Sequence, residues 1–116
     1  MGNSRRERDS RRTREREGND SGRLLRLQGL IREEVNFLLR GEIRDPRLDG
    51  VEITMVELHG ECARLWFTCE SNEGTEQALE RAAGFMRTRL AESLGLKRTP
   101  ELRFRHDPTT RAFREM

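Results

Sequence analysis

No apolar run in this 116-residue chain approaches the ~18–20 residues needed to span a bilayer. The Arg-rich N-terminus also lacks the apolar stretch of a secretory signal. A soluble, cytoplasmic protein with no membrane partner is therefore expected. Cysteine is scarce too. Cys62 and Cys69 lie seven residues apart in what reads as one strand, roughly 23 Å at ~3.3 Å per residue. That exceeds the ~7 Å Cα limit for a disulfide, and the odd spacing sends the two thiols to opposite faces. With only His59 and His106 besides, no metal site is expected, and no cofactor. The chain has no Gly-rich loop ending in Gly-Lys-Ser/Thr and no nucleophile elbow. The His106-Asp107 pair is adjacent in sequence, an arrangement that usually sends the two side chains to different sides. A non-enzymatic protein is expected.

Charge is abundant but unevenly placed. The net charge is +2, and every base except Lys97 is arginine. Residues 49–80 sum to −7, with Arg64 alone opposing eight acids, whereas residues 81–105 sum to +5. If the fold keeps these stretches apart, one side is basic and the other acidic. Arginine suits phosphate through its planar bidentate fork, although biased codon usage would enrich it everywhere. Apart from Met1, no apolar residue precedes Leu24. Residues 1–22 thus read as a disordered Arg-rich tail, because they cannot bury surface to offset ordering entropy. The body is 23–107, and 108–116 is a short C-terminal tail.

In the body, Leu24, Leu27, Ile31, Val35 and Leu38 recur at helical spacing, with Ser21 placed to cap the helix. The Asp45-Pro46 step stops it. Alternating Val51, Ile53 and Met55 give way to Val56 and Leu58, a parity switch that predicts a bulged strand. His59-Gly60-Glu61 turns the chain into a second strand, on which Ala63, Leu65 and Phe67 alternate with Arg64 and Trp66. From Thr75 to Leu94, one stripe of Leu79, Ala82, Ala83, Met86, Leu90 and Leu94 predicts helix. Phe85 lies off this stripe, and a kink at Ala82, Ala83 and Gly84 would bury it by making two short helices. Gly95 is a C-cap, and Leu102 and Phe104 mark a third strand. The fold class is α+β in the order α-β-β-α-α-β, three helices on one face of a three-stranded sheet.

Three strings carry a family likeness: Gly41-Glu42-Ile43-Arg44-Asp45-Pro46-Arg47-Leu48, Ala82-Ala83-Gly84-Phe85-Met86-Arg87 and Pro100-Glu101-Leu102-Arg103-Phe104. In their order and spacing, over residues 23–107, the chain resembles the ribosome-binding factor A family. The resemblance implies a type II KH-like fold, with the small-residue kink in place of the Gly-x-x-Gly loop of other KH modules. It also implies binding to the small (30S) ribosomal subunit during late maturation, near the 16S rRNA end awaiting processing. A ribosome-maturation GTPase would drive release, and the family matters for growth in the cold. Three features depart from the family pattern: a short β1–β2 turn, a reduced C-terminal extension and the long N-terminal tail.

Candidate RNA contacts are Arg44 and Arg47 at the proline turn, Arg81, Arg87 and Arg89 around the kink, and Lys97 and Arg98 in the loop before the last strand. Arg103 and Arg105 join them on the open sheet face, where Arg64 and Trp66 also point and stacking on bases is an option. Each has a structural alternative. Asp45 would cap its turn and pair with one arginine, the helix arginines would be a solvated face, and Trp66 would cover its own sheet. The reading is a monomeric RNA-binding assembly factor. The alternatives are a general single-stranded RNA or DNA binder and a protein-interaction module.

Overall fold

The computed structural model describes the backbone of residues 2–70 and 73–107, and side chains over 22–70 and 73–107. The first helix, α1, is Gly2–Gly41. Its apolar stripe does what the spacing predicts, since Ile31, Val35 and Leu38 are all 0% exposed. Ser21 is not its cap, because the helical backbone continues back to Gly2. That segment was expected to be a disordered tail, and its side chains lie outside the described residues; Arg and Glu, which dominate it, are both good helix formers.

After α1 the chain makes one 3₁₀ turn, Pro46–Leu48, capped by Asp45. Three strands follow, β1 (Glu52–His59), β2 (Cys62–Thr68) and β3 (Glu101–His106), in sheet order β1-β2-β3. β1 and β2 are antiparallel across the two-residue turn Gly60-Glu61, with Gly60 at φ +58°. β2 and β3 are parallel, which demands a crossover, and the second helix, α2 (Thr75–Leu94), supplies it. The predicted bulge is present. Ile53 faces Phe67 but Met55 faces Trp66, so Thr54 is the extra residue.

The edge of β1 is closed by two amides from α1. Asn36 donates to the Ile53 carbonyl (3.0 Å) and accepts from the Ile53 N–H (2.7 Å), and the Gln28 side chain accepts from the Leu58 N–H (2.9 Å). They bind backbone groups that an edge strand would otherwise leave open. Between the helices and the sheet lies one core, in which Ile53, Val56, Leu65, Phe67, Leu102 and Phe104 from the strands meet Leu79, Met86 and Leu90 from α2. Each such side chain contributes about 1.5–3 kcal/mol by leaving water.

One expectation is corrected. The second helical stretch is a single helix, so the described residues form two α-helices, not three. Ala82 and Ala83 are the best helix formers, and one glycine costs only about 1 kcal/mol in a helix interior. The helix therefore tolerates Gly84, and Phe85 stays 44% exposed, as an unbroken helix requires.

Candidate nucleic-acid interface

The helical layer carries the first group of arginines. At the proline turn Asp45 accepts from the Arg47 backbone N–H (3.0 Å), and its carboxylate takes two further hydrogen bonds from the Arg47 guanidinium (3.1 and 2.8 Å). These bonds hold the Asp45 carboxyl below its ordinary range, and the nearby Arg81 guanidinium lowers it a little more. Arg47 is thus largely spent on its own turn. The Arg47 carbonyl also accepts from the Thr75 hydroxyl (3.2 Å), seating the turn against the start of α2. Gly74 is favoured there because its φ of +76° is one that side-chain-bearing residues rarely adopt, and an added Cβ would also stand 3.2 Å from the Arg47 Cδ. Arg44 and Arg81 stay exposed, and neither forms an ion pair with a described residue.

Further along α2 the arginines diverge, since at about 100° per residue Arg87 points to nearly the opposite side of the helix from Arg89. Arg87 donates to the carbonyls of Thr99 and Pro100 (both 3.1 Å) and fastens the loop that leads into β3. Arg89 is half-buried, with Glu92 3.7 Å away. In the loop, Lys97 and Arg98 are exposed, and Arg98 lies 3.7 Å from Glu61 of the β1–β2 turn. A groove of about 1050 Å³ opens beside them, floored by Leu24, Leu27, Leu58 and Leu96 and rimmed by Arg87, Arg98 and Glu61.

The open sheet face holds the third group. Register places Glu57, Arg64 and Arg103 in one row and Met55, Trp66 and Arg105 in the next. The Trp66 indole donates to the Glu57 carboxylate (2.9 Å), and His59 lies 3.5 Å from the same group. The indole bond, followed by His59, lowers the Glu57 pKa from its ordinary value. Arg103 is 3.4 Å from Glu101.

The expected sorting of charge into a basic and an acidic side is therefore only half realised. Along α2 the signs largely separate, with Glu76 and Glu80 before Arg81, Arg87 and Arg89 and only Glu92 after them. On the sheet they interleave, because pairing brings acidic β1 beside β2 and β3. The predicted site residues do not share one surface. Arg44, Arg47 and Arg81 gather at the turn and α2, Arg87, Lys97 and Arg98 at the far end of α2, and Arg103 and Arg105 on the sheet. Sequence reasoning overlooked Phe85 as a surface feature by assuming that a kink would bury it. The available signal was an arginine four residues to either side, at 81 and 89.

Among the described residues no group of acids, histidines and cysteines is placed to hold a metal, and no helix is long and apolar enough to cross a membrane. Both cysteines are free thiols.

The sequence model of the family described as Ribosome-binding factor A matches residues 23–116. The chain belongs to the ribosome-binding factor A family. A ribosome-binding factor A from Pediococcus pentosaceus is 37% identical over 89 residues, covering 71% of this chain and 77% of the relative. Another from Ruthia magnifica is 40% identical over 91 residues, covering 75% and 81%. The fold agrees as well. The crystal structure of ribosome-binding factor A from Thermus thermophilus superposes with a TM-score of 0.67 at 23% identity, over 72% of this chain and 94% of that one. A homology model of the Thermus factor, fitted into the cryo-EM map of its 30S complex, gives 0.61 at 24% identity, over 69% and 90%.

Proposed function

We propose that this chain binds the small (30S) ribosomal subunit during its late maturation, docking on 16S rRNA near the end awaiting processing. The observation that carries the reading is the proline turn and the start of α2, where Arg44 and Arg81 are exposed without an ion pair to a described residue. Family membership and the 30S complex of the Thermus factor support it. Docking releases counterions from the phosphate backbone, and recognition is mainly of shape, since side chains cannot read the deep groove of A-form RNA. Residues 23–107 form the KH-like binding unit, with Ala82, Ala83 and Gly84 where other KH modules carry Gly-x-x-Gly. The chain acts as a cytoplasmic monomer without chemistry of its own, holding a transient rRNA conformation, most needed in the cold, until a maturation GTPase releases it. Arg87 acts indirectly, by fixing the loop that presents Lys97 and Arg98.

Sedimentation with purified small and large subunits at two salt concentrations tests this. The expected result is retention by immature small subunits that weakens steeply with salt. Equal retention by both subunits and by any polyanion would point to a general single-strand binder, and salt-independent retention to a protein-interaction module.

A further inference from the structure

We propose that Phe85 is a stacking platform for an unpaired RNA base, with Arg81 and Arg89 taking the phosphates on either side; this rests on the small-subunit reading above. On α2 a step of four residues advances about 6 Å and turns about 40°. Arg81, Phe85 and Arg89 therefore form one continuous row, with the ring in the middle. The ring stays 44% exposed while its neighbour Met86 is 0% exposed, so the core is filled without it. Beside it, Gly84 leaves open space: a Cβ added there would meet no atom within 4 Å.

Two carboxylates border the row. Asp45, near Arg81, is already bonded to Arg47, and Glu92 lies 3.7 Å from Arg89 at the row's far end. A ring between two cations suits a polyanion that carries flat bases. It suits an apolar protein surface poorly, because both guanidiniums would lose water without an opposite charge. It suits a second copy of the same face poorly as well, because cation would meet cation. Every base has a π-face, so the platform adds affinity without fixing sequence.

The test compares wild type with Phe85→Ala, Phe85→Leu and Phe85→Trp on two probes, purified small subunits and a single-stranded RNA containing 2-aminopurine. Because Phe85 is exposed, thermal melts should coincide. Phe85→Ala should lower small-subunit affinity about tenfold. Phe85→Leu, still apolar, should lose quenching of the 2-aminopurine signal, and Phe85→Trp should restore both readouts. Small-subunit binding by wild type that Phe85→Ala and Phe85→Leu leave unchanged overturns the platform while the function stands. Phe85-dependent quenching without small-subunit selectivity supports the platform and overturns the function. A concentration-dependent dimer abolished by Phe85→Ala would assign the face to a second copy and overturn the platform.

Discussion

Two surfaces of this molecule combine arginine with an aromatic ring, and they differ in how the ring is held. Each also carries arginines without an ion pair to a described residue, Arg64 and Arg105 on the sheet and Arg44 and Arg81 on the helical layer. On the open sheet face the Trp66 indole is tied to Glu57, Arg103 has Glu101 beside it, and Arg64 shares its row with Glu57. On the helical layer Phe85 has no tether, and Arg44 and Arg81 stand without an ion pair. The residue types are alike, and the difference lies in what the neighbouring element brings. Sheet pairing lays an acidic strand against basic ones, whereas on α2 Glu76 and Glu80 precede the arginines and Glu92 follows them. Cations already facing carboxylates have less to gain from phosphate than cations facing water.

The largest expected effect comes from reversing charge on each surface in turn. Arg44→Glu, Arg81→Glu and Arg89→Glu together should weaken small-subunit binding about a hundredfold or more and flatten its salt dependence. Arg64→Glu, Arg103→Glu and Arg105→Glu should cost only a few-fold. Equal losses, read by sedimentation, would erase the distinction between the two surfaces. Next in size is Asn36→Ala, which strips both partners from the Ile53 backbone at the bulge. It should destabilise the fold by about 1–3 kcal/mol, seen in chemical denaturation, and leave affinity intact below the melting range.

Gly84→Ala should separate stability from binding on the helical layer. The open space at Gly84 and the helix propensity of alanine predict a gain of up to about 1 kcal/mol, with small-subunit affinity lowered by the crowded approach. The smallest effect belongs to the sheet. Trp66→Phe removes the indole donor, so the Glu57 pKa should rise toward the ordinary carboxylate range, measurable by NMR titration. In wild type the lowered pKa contributes stability that is fully present above the ordinary value and is lost as pH falls through the lowered one. Trp66→Phe should therefore lose less stability than wild type on acidification over that window, with small-subunit binding at neutral pH unchanged.

Much of this was legible from residue spacing. The stripe Ile31, Val35 and Leu38, the parity switch that became the bulge at Thr54, and the alternation of Leu65 and Phe67 all report periodicities that burial enforces. The pairing of Asp45 with Arg47 was open to a reader who weighed the capping alternative. Three things were not legible. Gln28 and Asn36 look like ordinary polar positions flanking an apolar stripe, and only the arrival of β1 makes them edge-closing amides. Arg87 reads as one more cation until the loop carrying Thr99 and Pro100 folds under it. Phe85 was assigned to the interior because a large apolar side chain is expected there, yet Met86 and Leu90 already fill that space.

By itself the sequence determined the elements, the core face of each and the arginine-rich character of the chain, because these depend on local periodicity and composition. Tertiary structure alone decided the long-range partners: the Thr99 and Pro100 carbonyls for Arg87, Glu61 for Arg98, and the edge of β1 for Gln28 and Asn36. Those partners come from packing between segments far apart in the chain, whereas Arg47, Arg89 and Arg103 meet acids two or three residues away.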